Sequence, residues 1–141
     1  MAVDDFTFYT QFGADAGVVS IDSPAAPLSA GIHNVVATIG NFGLDTLTSA
    51  DIQWSVNGAL QIPHNWADSL ATNETATVAI GSYNFSAGNS AIKVWTSNPN
   101  NASDEDNSND TLTKSLCTGL SGSYTIGGAL PDYVDFSAAL N

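Results

Sequence analysis

Residues 51–56 alternate Ile52, Trp54 and Val56 with Asp51, Gln53 and Ser55, and the run then meets Asn57-Gly58. A period of two sends one set of side chains to each face of a strand, and Asn-Gly suits a type I′ turn, whose central residues both need positive φ. This single stretch commits the chain to a hairpin with one dry face, and so to β architecture over a core. The return strand is predicted over 59–62, with Pro63 ending it because proline has no N–H to give a ladder.

The same pattern recurs at intervals of roughly ten residues, the spacing of an antiparallel sandwich. Residues 18–21 run into Ser23-Pro24-Ala25-Ala26-Pro27 and read as an edge strand. Residues 32–39 place Val35, Ala37 and Ile39 on one face and end at Gly40-Asn41-Phe42-Gly43. Further strands are predicted at 75–80, 91–95 and 111–116. The stretch HNWADSLATNET is expected to be a loop carrying Trp66, and Phe85 to lie in a connection. Trp54 should pack in the core, and Trp95 should face away from Ile92 and Val94. Seven strands within 15–116 predict an all-β fold, an immunoglobulin/fibronectin-like antiparallel β-sandwich, with another all-β sandwich or small barrel as the alternative.

The two ends lie outside this pattern. Residues 1–14, with Phe6, Phe8, Tyr9 and Phe12, read as an N-terminal extension or the end of a preceding module, and 15–117 as the sandwich. Residues 118–141 read as a linker and the start of a following module: a strand-like SYTIGG, then a short helix with Tyr133, Phe136, Ser137 and Leu140 at i, i+3, i+4 and i+7.

Charge narrows the function. Two Lys+Arg stand against fourteen Asp+Glu in 141 residues, a formal net charge of −12. Lys93 and Lys114 cannot neutralise a run of phosphates, so nucleic acid and anionic membrane surfaces are excluded as partners. No apolar run approaches the ~20 residues of a membrane span, and the start resembles no signal peptide. Cys117 is the one cysteine, so no internal disulfide supports the fold. An acidic surface with few basic partners suits an exterior where salt and divalent cations screen it.

No nucleophile elbow is present, and His33, His64 and Cys117 lack the spacing of a triad or a zinc site. The acidic residues fall mostly in turns or on outward strand positions, where solvated charge is the plain reading. The densest group is Asp104, Glu105, Asp106 and Asp110 in the connection 98–110, with several Asn carbonyls beside them. Calcium favours six to eight such oxygens. The DxDxS start lacks the Gly and the bidentate Glu of an EF-hand loop, so a solvated hairpin connection stands against calcium as the other reading. Trp66, with Tyr83 or Phe85 nearby, is a candidate sugar-stacking contact, against a simple cap on the sandwich end.

The segments DAGVVSIDSPAAPLSAG, HNVVATIGNFG, WSVNG, GSYNF and IKVWTSNPN, with SNDT after them, resemble the adhesion-related immunoglobulin-like modules called CARDB, in the version found in large Bacteroidota surface proteins. The likeness runs from Asp15 to about Leu116. It implies a non-catalytic module of a multidomain protein exported by the type IX system, and an extracellular or cell-surface location. Relatives often carry Cys where this chain has Ser29. Asp-Ser/Thr-Leu at Thr46, Ser69 and Thr111 resembles the O-glycosylation acceptor motif of such exported proteins. The function expected is a spacer or adhesion module, not an enzyme, whose partners are neighbouring modules of the same polypeptide, surface glycans or other copies of itself. The alternative is a carbohydrate-binding module built on Trp66.

Overall fold

The computed structural model of the chain describes residues 12–119 and 125–139. Nine strands follow in order: β1 (Ala16–Ser23), β2 (Leu28–Ser29), β3 (Gly31–Asn41), β4 (Leu47–Val56), β5 (Ala59–Leu60), β6 (His64–Leu70), β7 (Thr75–Phe85), β8 (Gly88–Ser97) and β9 (Thr111–Gly119). One sheet is ordered β1-β3-β7, and the other β2-β9-β8-β4-β5 with β6 also on β4. The inward residues of β3, Val35, Ala37 and Ile39, meet Ile52, Trp54 and Val56 of β4 and Ile92 and Val94 of β8, all fully or almost fully buried. The fold is therefore the predicted two-sheet β-sandwich.

The Asn57-Gly58 turn forms as read, with φ of 50° and 81° and Val56 opposite Ala59. Its return strand is shorter than predicted. β5 stops after two residues because Leu60 and Ile62 point to solvent, 75% and 86% exposed, and no core lies beneath them. The chain then comes back to the same strand as β6, pairing from Leu47↔Leu70 to Ile52↔His64. Most of the segment expected to be a loop is thus a strand. Only Trp66 and Leu70 of its seven residues are buried, so it carries little hydrophobic alternation to read.

β7 also outruns its prediction, reaching Phe85, which is 1% exposed and lies edge-on to Tyr83 at 5.0 Å. It pairs with β3 along its length, with a bulge at Val35/Val36 beside Gly81. A Cβ at Gly81 would come 2.6 Å from Trp54 Cζ2, so the indole rests on bare backbone. Trp95 is half-buried, opposite in sense to Ile92 and Val94, as expected.

The proline pair ends β1, and the chain resumes as β2 in the other sheet, parallel to β9. At the C-terminal end the expected helix is reduced to one turn, Phe136–Ala139. Of SYTIGG, the described part makes only an isolated bridge, Ile126 to Tyr133, braced by Thr125 Oγ1 donating to Asp132 at 2.9 Å. Gly127 and Gly128 (φ 74° and 97°) break the extended run there. The aromatics Phe6, Phe8 and Tyr9 lie outside the described residues.

Candidate functional site

One end of the sandwich gathers three segments: the lead-in 12–15 before β1, the turn 42–46 between β3 and β4, and the connection 98–110 before β9. The turn is organised by Asn41, 1% exposed, whose amide donates to the carbonyls of Asp45 and Leu70, both at 2.9 Å, while its Oδ1 accepts from the Gly43 amide at 3.0 Å. The lead-in lies along this turn. Phe42 and Gly43 donate to the Asp15 carbonyl at 2.9 and 3.2 Å, and Leu44 and Asp45 to those of Phe12 and Gly13. A Cβ on Gly43 would stand 2.3 Å from Gly13 O, which explains the Asn-Phe-Gly sequence.

The connection is shaped by asparagine. Asn98, Asn100 and Asn101 have φ of 53°, 53° and 60°, a region that Asn tolerates better than most side chains. Asn100 Oδ1 accepts from Thr48 N at 2.7 Å, its amide donates to Thr46 O, and Asn98 donates to Asp51 at 2.8 Å. Beyond it the acids cap their own backbone. Asp104 Oδ1 accepts from Asp106 N at 3.1 Å, and Asp106 Oδ1 from Ser108 N at 3.0 Å.

Here the connection clasps the lead-in. Asp104 Oδ2 accepts from Ala16 N at 3.0 Å, Asn109 donates to Asp15 Oδ1 at 2.8 Å, and Val18 N donates to Asn109 O at 3.1 Å. Asp15 is 3% exposed and Asp110 8%. Burial, joined by the charges of Asp104 and Asp15, pushes the Asp110 carboxyl up to about 7. Burial also raises Asp15, against the lowering effect of its Asn109 hydrogen bond, with the charges of Asp104, Asp106 and Glu105 adding to the rise. Asp106 is held low by its hydrogen bonds with Ser108.

Of the acids singled out from the sequence, Asp104 and Asp110 therefore come together, while Asp106 is engaged with Ser108. Glu105 turns away, its Oε2 accepting from Gly13 N at 3.2 Å. Sequence reasoning missed Asp15, which stands 89 positions before Asp104 and looks like an ordinary turn residue. Asn109 Oδ1 and Asp110 Oδ1 are buried without a hydrogen-bond partner. Among the described residues, no three His, Cys, Asp or Glu side chains converge as a ready ligand group. The donors are all hard oxygens, which suits calcium and not a thiolate- or imidazole-seeking metal.

The other candidates are dispersed. Trp66 is in β6, not a loop, and 7% exposed, so it has no open face for a sugar ring. His33 on β3 contacts Ser29 O through Nε2 at 2.8 Å, His64 opens β6, and Cys117 is an exposed thiol on β9. They occupy different strands of two sheets and form no nucleophile–base pair among the described residues. Thr46, Ser69 and Thr111 are all exposed. Lys114 donates to Ile21 O at 2.8 Å, and the Lys93 ammonium lies 5.4 Å from the Trp95 ring centroid.

A CARDB domain from Pyrococcus furiosus, crystallised in complex with di-metal ions, superposes with a TM-score of 0.61 at 20% identity, over 79% of this chain and 99% of that one. The chain has the CARDB fold. A domain from Methanosarcina acetivorans, part of a protein named for the cell surface, gives a TM-score of 0.59 at 24% identity over 76% of this chain and 93% of that one. A solution structure of the Pyrococcus domain agrees, with a TM-score of 0.58. Nothing in these likenesses supports the Bacteroidota origin expected from the sequence. No family model and no curated protein sequence matches the chain. No helix among the described residues is long and apolar enough to cross a membrane.

Proposed function

We propose that this chain is a non-catalytic CARDB-type module of a cell-surface or secreted protein, acting as a spacer that holds neighbouring segments of its polypeptide apart. The observation that carries the reading is the structural match to a CARDB domain and to a domain of a protein named for the cell surface. The sandwich supports it physically. A strand-paired core running the length of both sheets resists deformation, and an acidic exterior keeps modules from adhering to one another. Thr46, Ser69 and Thr111 are exposed, so O-linked modification of an exported module is sterically open at each. Calcium in the 98–110 connection belongs to the same reading, supported by the clustered carboxylates and by the metal ions bound to the Pyrococcus domain.

An antibody raised against residues 12–119 tests the location. It should label intact cells, and mild protease treatment of those cells should remove the signal; labelling only after permeabilisation overturns the reading. A glycan array tests the spacer role, since a spacer binds none of the sugars. The carbohydrate-binding alternative has lost its anchor in Trp66, and saturable binding to one glycan would restore it through other residues.

A further inference from the structure

We propose that Asp15, Asp104, Asn109 and Asp110 form one calcium site, and that the ion locks the lead-in of β1 to the connection before β9. The inference rests on the calcium reading of that connection and changes both its membership and its purpose. Asp15 and Asn109 enter, and Glu105 and Asp106 leave.

Three observations converge. Asp110 is more than nine-tenths buried, its Oδ1 has no hydrogen-bond partner, and its nearest charges are those of Asp104 and Asp15. A carboxylate oxygen held out of water without a donor is costly unless something positive meets it. The second orphan, Asn109 Oδ1, belongs to the next residue, and its amide nitrogen is already committed to Asp15. That bond fixes the amide's orientation and leaves the carbonyl oxygen without a donor, lying over the bare backbone of Gly17. Thirdly, neither lysine answers this charge, because Lys114 is spent on Ile21 O and Lys93 lies over Trp95.

The ligand must therefore be a small hard cation. Three carboxylates and one amide oxygen fall short of the six to eight oxygens calcium takes, and water or backbone carbonyls complete the shell. Magnesium demands a near-ideal octahedron, which an irregular asparagine-shaped loop does not present. Asp104 and Asp110 already lie within hydrogen-bond reach of each other, and no third carboxylate among the described residues converges on them. The ion draws Asp15 in by side-chain rotation. The backbone is already pinned, by Val18 N to Asn109 O at 3.1 Å and Glu105 N to Ala14 O at 3.1 Å.

The consequence is mechanical. Tension entering through residues 12–15 reaches the sandwich beside this clasp, and calcium would make the entry stiff where calcium is abundant and looser where it is scarce.

Thermal melts and isothermal titration of the full chain, stripped with chelator, test this with calcium and magnesium as probes. With Kd of about 0.1 mM, in the range of extracellular modules, 10 mM calcium should raise Tm by roughly 10 °C and magnesium far less. Amide exchange at Ala16 and Val18 should slow with calcium. Asp110→Asn, which removes charge and keeps shape, should melt higher than the parent without calcium and bind the ion at least ~10-fold more weakly; Asp15→Asn should weaken it likewise. Glu105→Gln should bind as the parent does. Equal responses to calcium and magnesium, or no response, overturn the site and the calcium reading together. Calcium binding lost in Glu105→Gln but retained in Asp15→Asn and Asp110→Asn keeps the calcium reading and overturns this ligand set.

Discussion

Asn109 donates its side-chain amide to Asp15 at 2.8 Å across 94 positions of chain, joining the residue before β1 to the residue two before β9. It is the direct side-chain link between the lead-in and the acidic connection, and it gives a buried carboxylate its donor. Replacing Asn109 with Ala should strip that donor and destabilise the fold by about 1–3 kcal/mol, the cost of leaving a buried polar group unsatisfied. Urea unfolding of the two chains side by side checks it; an unchanged midpoint would mean water serves Asp15 equally well.

Gly81 of one sheet lies directly against the Trp54 indole of the other. Gly81→Ala would drive a methyl to within 2.6 Å of the indole, so a destabilisation of about 1–3 kcal/mol from overpacking is expected, with a changed tryptophan emission. In a Trp54→Phe background, the smaller ring should relieve most of that penalty. A double-mutant cycle by chemical denaturation reads the coupling.

Trp66 is a core residue here, so Trp66→Ala should cost about 3–5 kcal/mol, the usual range for deleting a buried aromatic. A loss below about 1 kcal/mol on denaturation would show that the indole is not packed beneath β6.

Asp22 sets a pH prediction. Hydrogen bonds from Thr38 and Ser20, each at 2.7 Å, hold its carboxyl below the usual value, with Lys114 helping. A depressed acid adds stability that is full above its unfolded pKa of about 3.9 and is lost as pH falls through the lower folded value. Asp22 is exposed, so the amount is that of a surface interaction, about 0.5 kcal/mol. Asp22→Asn should therefore be slightly less stable than the parent at pH 7, and the gap should close below about pH 3. Denaturation midpoints at the two pH values decide it; a gap that persists in acid would assign the effect to packing.

Local pattern was enough wherever each residue's role could be set by its neighbours in sequence. The alternation of Ile52, Trp54 and Val56, the Asn57-Gly58 turn and the inward set Val35, Ala37 and Ile39 are short-range facts of strand geometry and backbone sterics, and the sandwich follows from them. The acidic loop was also legible, because Asp104, Asp106 and Asp110 are close in sequence. What tertiary structure decided was everything with a distant partner. β6 exists because β4 offers it an edge, and so Trp66 is buried; seven strands were expected and nine are seen among the described residues, with β2 and β6 added and the return strand cut to the two residues of β5. Asp15 joins the acidic group only when β1 is laid beside β9's approach, and the orphaned Asp110 oxygen arises only there. Burial and charge proximity are properties of the folded surface, and one-dimensional spacing does not contain them.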